Sequence, residues 1–100
     1  MRIEITEGFI DINEIDNTEE GFENLKGMMI DLLYVKPEFR QQGIARKLLK
    51  KAYDYAENNI IYLVACPKEK NIDFSDLVDF YMSEGFDIEN ADMPYPILYK

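Results

Sequence analysis

Histidine and tryptophan are absent from this chain, and cysteine occurs once, as Cys66. With no imidazole and a single thiol, zinc has too few of the ligands it usually takes, and no metal site is expected. One cysteine cannot close an internal disulfide, which fits a reducing cytoplasm. No apolar run approaches the ~20 residues of a membrane span. The opening MRIEITEG carries charge from its second residue and alternates like a strand, unlike a secretory leader. Positive charge is scarce too: 11 Lys and Arg face 20 Asp and Glu, a net of −9. Free nucleic acid is therefore disfavoured as a partner, because it calls for a dominant basic face.

What is present describes one small folded domain, residues 1–100, with 47% hydrophobic and 13% aromatic residues. The charge is unevenly spread. Residues 1–27 carry a net of −6 and residues 68–100 a net of −5, whereas residues 28–67 carry +2. A basic middle between acidic flanks suits an anionic cofactor at the centre and a cationic partner outside. Acidic flanks kept for solubility explain the same pattern.

Residues 2–7 alternate as a strand, Gly8 interrupts, and Phe9, Ile10 and Ile12 begin a second strand. Residues 16–27, rich in Asp, Asn, Glu and Gly, predict an exposed hairpin loop or frayed turn. Met28 to Val35 is apolar except for Asp31, as expected of a central strand covered on both faces, and Pro37 ends it. Ile44, Ala45, Leu48, Leu49, Ala52 and Ala56 recur at helical spacing, predicting a helix to about Asn58. Ile60 to Cys66 predicts a short buried strand. Asp73 to Asp76 caps a second helix bearing Leu77, Val78, Phe80 and Tyr81, which Gly85 stops. Phe86–Ile88 and Ile97–Tyr99 complete the order β-β-β-α-β-α-β-β, an α/β (α+β) fold with a mixed, mostly antiparallel sheet and two main helices.

The stretch VKPEFRQQGIA, Val35 to Ala45, joins a strand end to a glycine-containing helix start. Helix N-termini present N–H groups without internal partners at the positive end of the dipole, and glycine lets a bulky anion approach. The reading is a diphosphate-bearing cofactor held by N–H groups from Gln41, Gln42, Gly43, Ile44 and Ala45. Arg40, Arg46 and Lys47 either add charge or are simply solvated.

LLYVKPEFRQQGIARKLL, followed by the strand IIYLVACP and the helix end FYMSEGF, resembles the Gcn5-related N-acetyltransferase (GNAT) family over residues 28–88. The resemblance implies acetyl-coenzyme A as cofactor, with its pantetheine arm along the backbone of Leu33, Tyr34 and Val35. It implies direct attack of an amine on the thioester, without an acyl-enzyme, so Cys66 is expected to be a small buried hydrophobe. By its place in FYMSEGF, Tyr81 matches the family's general acid; its other reading is a core tyrosine. Phe74 stands where the family often has Asn, and Ala45 replaces its more frequent second glycine. Asp31 is the candidate base, because strand alternation puts it on one face with Leu33 and Val35 and apolar neighbours can raise a carboxyl pKa; the sheet rim is its alternative place.

A usual GNAT domain has a strand and two helices before the region matched, whereas two short strands precede it here. That truncated layout, with MRIEITEGFIDI, DFSDLVDFY and the acidic tail, is similar to small phage-encoded type V-A anti-CRISPR acetyltransferases. Those proteins acetylate a lysine that Cas12a uses to recognise its target DNA. The resemblance implies a protein-lysine acceptor, and an open sheet edge favours a homodimer. A small-molecule amine such as a polyamine or aminoglycoside, or a non-catalytic acidic binder of a nucleic-acid-binding protein, remains the alternative. The expected location is the cytoplasm, that of the bacterial host if the gene is phage-borne.

Overall fold

The structure, a computed structural model, describes residues 1–67, 72–90 and 95–100. The loop expected at Lys68 to Asp73, between the fourth strand and the second helix, begins outside the described residues. Two compact units are present, Met1–Ile61 and Tyr62–Lys100.

In the first unit, β1 (Arg2–Ile5) and β2 (Gly8–Glu14) form a hairpin, and β3 (Met28–Val35) pairs antiparallel with β2. Only Thr6 and Glu7 connect β1 to β2. Helix α1 (Ile44–Ala56) packs on these strands. Its buried stripe of Leu48, Leu49, Ala52 and Ala56 is the anticipated apolar periodicity, and Ile10, Ile12 and Ile30 are buried with it. The helix stops at Ala56, short of Asn58, because Glu57 turns to φ 57° and Asn59 Nδ2 donates to the Ala56 carbonyl at 2.9 Å.

Residues 16–27 form the exposed loop of the β2–β3 hairpin, as expected, and side-chain hydrogen bonds hold its backbone. Asn17 Nδ2 donates to the carbonyls of Phe22 (2.7 Å) and Leu25 (2.8 Å), and the Phe22 side chain is buried. The Thr18 hydroxyl and N–H both donate to Asp16 Oδ1, and they hold the Asp16 carboxyl below its usual range. One expectation is corrected in this unit: β3 is not covered on both faces, for only Ile30 is buried, Asp31 is exposed and the rest are half-buried.

Gly27 sets the close approach of β3 to the residue before the next strand. Met28 N–H donates to the Ile60 carbonyl at 2.8 Å, and a Cβ at Gly27 (φ 149°) would lie 2.2 Å from that oxygen. Gly27→Ala is therefore expected to cost about 3 kcal/mol through backbone displacement and a disfavoured φ. A urea titration measures this as a lowered midpoint.

The second unit contains β4 (Ile61–Val64) from Tyr62 onward, α2 (Phe74–Ser83), β5 (Asp87–Asn90) and β6 (Ile97–Tyr99), with β6 paired antiparallel to both β4 and β5. Leu63, Ala65, Phe86, Ile97 and Leu98 are buried. Asp73 caps α2 as expected, accepting the Ser75 N–H at 2.8 Å. Strand β5 begins after Phe86, because the Phe86 N–H closes the helix end on the Tyr81 carbonyl at 3.1 Å. Strand β4 ends at Val64, which leaves Cys66 beyond it and half-exposed rather than buried. The order of strands and helices is the one expected. Among the described residues, no helix is long and apolar enough to cross a membrane.

Candidate cofactor-binding and acyl-transfer site

After β3, Lys36 N–H ties the chain to the Glu7 carbonyl at 2.8 Å, and Pro37–Phe39 form one 3-10 turn. Arg40 is extended, and then Gln41 (φ 62°) and Gly43 (φ 78°) adopt left-handed backbone before α1 begins at Ile44. Left-handed residues amid right-handed ones turn successive N–H groups toward one side, a concavity suited to anions. Gly43 is the N-cap of α1 and provides no capping side chain. The first-turn amides of Ile44 and Ala45 thus keep the dipole's positive end for an external acceptor. A Cβ at Gly43 would meet no atom within 4 Å, so a diphosphate has room to reach the backbone. Gln41, Gln42 and Gly43 are all exposed. The residues of this turn fit a diphosphate-bearing cofactor.

Arg40 has a role that sequence reading missed. Its Nε donates to the Val35 carbonyl at 2.9 Å, and its guanidinium lies 5.8 Å from the Tyr34 ring centroid. It fastens the end of β3 to the turn, and it takes one acceptor position on Val35. The backbone of Leu33 and Tyr34 is unaffected by that bond. Lys47 lies on the exposed side of α1, with its N–H closing the helix on the Gly43 carbonyl at 3.1 Å.

The face assigned to Asp31 is corrected. Asp11 pairs with Leu32, but Ile12 pairs with Ile30, so Asp31 is the additional residue of a β-bulge. The bulge resets the alternation. Ile30 and Leu33 oppose the buried Ile12 and Ile10, while Asp31 turns to the other face, where Asn13 Nδ2 donates to its Oδ2 at 2.7 Å. Asp31 there borders a cleft of about 250 Å³ with Glu14, Asp16 and Glu19, whose apolar lining is Phe22 and Met29. Nothing in the sequence marked the cleft except the acid-rich run from Glu14 to Glu20.

On the outward face of the same strands, Arg2 Nε bonds Asp11 Oδ1 at 2.8 Å, and this hydrogen bond holds the Asp11 carboxyl below its usual range. The Arg2 guanidinium also lies over the Phe9 ring, 3.8 Å from its centroid.

In the second unit, Tyr81 is 7% exposed on α2. Phe80 and Phe86 meet its ring edge-on at 5.3 and 5.6 Å. Its carbonyl accepts the N–H groups of Glu84 and Phe86, which fixes the backbone that carries the phenol. Phe74, in the position often held by Asn, is exposed and pairs with Tyr95 at 5.7 Å between centroids.

The sequence profile of the acetyltransferase (GNAT) domain matches residues 3–88. The chain belongs to the GNAT family and is an N-acetyltransferase, a class whose members generally use acetyl-CoA. It is similar to the crystal structure of the anti-CRISPR protein AcrVA5, with 28% identity and a TM-score of 0.79 over 100% of this chain and 96% of that one. Its fold is also that of a protein from Bacteroides thetaiotaomicron described as a GNAT-family acetyltransferase, with 18% identity and a TM-score of 0.66 over 93% of this chain and 53% of that one. No curated protein matches the chain. The family resemblance carried by RQQGIA and FYMSEGF is thereby borne out, and the layout is similar to that of AcrVA5.

Proposed function

We propose that this chain acetylates a lysine side chain of a protein, using acetyl-CoA, and that its two units serve as one N-acetyltransferase domain. The observation that carries the reading is the open, left-handed Gln41–Gly43 turn ahead of an uncapped α1. Its N–H groups, from Gln41 to Ala45, hold the pyrophosphate, with Arg40 and Lys47 as adjoining cations, while the backbone of Leu33, Tyr34 and Val35 orients the pantetheine arm. Acetyl-CoA, when bound, supplies the thioester carbonyl that the amine attacks. Tyr81 Oη holds the proton required by the departing sulfur.

The acceptor amine has an ordinary pKa of about 10.4 and arrives as a cation. The carboxylates of Glu14, Asp16, Glu19 and Asp31 suit that charge, and Phe22 and Met29 suit its methylene stem. Asp31 receives the ammonium proton and passes it to water. Likeness to AcrVA5 along the whole chain supports a CRISPR effector of the Cas12a type as the protein, met in the bacterial cytoplasm. The acidic surface speeds encounter with a basic target.

The test is incubation with isotope-labelled acetyl-CoA and a Cas12a-type effector, then peptide mass spectrometry. One dominant acetyl-lysine is expected. Label recovered only in polyamines or aminoglycosides would establish the small-amine reading instead. Inhibition of the effector without any label would mark a non-catalytic binder.

A further inference from the structure

We propose that Lys100 is a positioning residue for Tyr81, acting through the C-terminal turn of α2; this rests on the reading of Tyr81 as the proton donor. Helix α2 has acids at its start, Asp73 and Asp76, and no basic residue in its own last turn. The negative end of its dipole is met by a side chain from outside the helix. Lys100, directly after β6, donates from Nζ to the Glu84 carbonyl at 2.7 Å. An ammonium at that place opposes the partial negative charge of the last carbonyls.

The turn that Lys100 holds is the one that sets the surroundings of Tyr81. Glu84 N–H donates to the Phe80 and Tyr81 carbonyls, Gly85 N–H to Met82, and Phe86 N–H returns to Tyr81. Gly85 takes φ 97°, and a Cβ there would lie 3.2 Å from Lys100 Nζ and 3.3 Å from its Cε, so the lysine stem lies across the glycine. Phe86 follows at once, and its ring is one of the two that meet Tyr81 edge-on. A shift of the turn would move Phe86 and, with it, the phenol it packs against. The glycine of FYMSEGF thus leaves space for a lysine from the end of the sheet as well as ending the helix.

The experiment compares Lys100→Met, Lys100→Arg, Tyr81→Phe and the Lys100→Met/Tyr81→Phe pair. Steady-state acetyl transfer is measured, with thermal melting to verify that each variant is folded. Lys100→Met is expected to lower kcat about fivefold with an unchanged KM for acetyl-CoA, the scale of a charge at a helix end. Lys100→Arg should restore most of that loss. In the Tyr81→Phe background, Lys100→Met should lower kcat no further, because the group it positions is gone. A full additional fivefold loss in the pair, or an unchanged kcat in folded Lys100→Met, overturns the proposal. Full activity of Tyr81→Phe alone overturns the proton-donor reading itself, a result distinct from either.

Discussion

Gly43→Glu is expected to abolish acetyl-CoA binding while leaving the protein folded. The substitution has little to disturb in the fold: position 43 is exposed, and a Cβ there meets nothing within 4 Å. Holding a side chain at φ 78° costs about 1–2 kcal/mol, about 4–16 °C of melting temperature for a domain of this size. Binding has far more to lose. A carboxylate placed among N–H groups that suit a diphosphate brings like charges within roughly 4 Å, worth about 4 kcal/mol at the effective dielectric of a protein surface. That is about three orders of magnitude in Kd, and the side chain also fills the approach. Calorimetry should register no binding heat at acetyl-CoA concentrations that saturate the natural protein. Gly43→Ala, which fits the open space and introduces no charge, should retain binding within about tenfold. Unchanged affinity of the Glu variant would remove the cofactor from this turn.

The turn was legible in the sequence because its signals are local. A proline ends the strand, a glycine occupies a left-handed position, and helical periodicity starts one residue later, so the chemistry follows from order along the chain. The Asp73 cap and the Gly85 stop of α2 were readable for the same reason.

What escaped depends on register or on distant partners. Met28 to Val35 is apolar on both sides of Asp31, so no alternation in the sequence reveals that the strand spends a residue on a bulge. One extra residue then moves Asp31 off the face of Leu33 and into an acidic cleft. The 16–27 segment has the composition of an exposed loop, yet one asparagine amide gathers two of its carbonyls and Phe22 anchors it. Composition reports solubility there; side-chain hydrogen bonds decide order. The backbone bonds of Arg40 and Lys100 escaped for a third reason. Each cation donates to a backbone carbonyl, Val35 in one case and Glu84 in the other, and a carbonyl has no signature in sequence.

Tyr81→Phe is expected to reduce kcat by about a hundredfold to a thousandfold, the contribution of a positioned proton donor, with acetyl-CoA affinity unchanged within about twofold. The substitution is conservative for packing. The ring is what Phe80 and Phe86 contact, and phenylalanine keeps it in the same aromatic setting. The backbone bonds at the helix end involve the Tyr81 carbonyl, which the change does not touch. A loss confined to kcat therefore isolates the hydroxyl as a group used in the transition state rather than in binding. The burial of Tyr81 sharpens the contrast with its alternative role. A tyrosine that served only to fill the core would be replaced by phenylalanine at little cost in either turnover or stability. Measured in one assay against a labelled lysine acceptor, an unchanged kcat would return Tyr81 to the core, and a large fall in kcat at constant KM would assign it the proton.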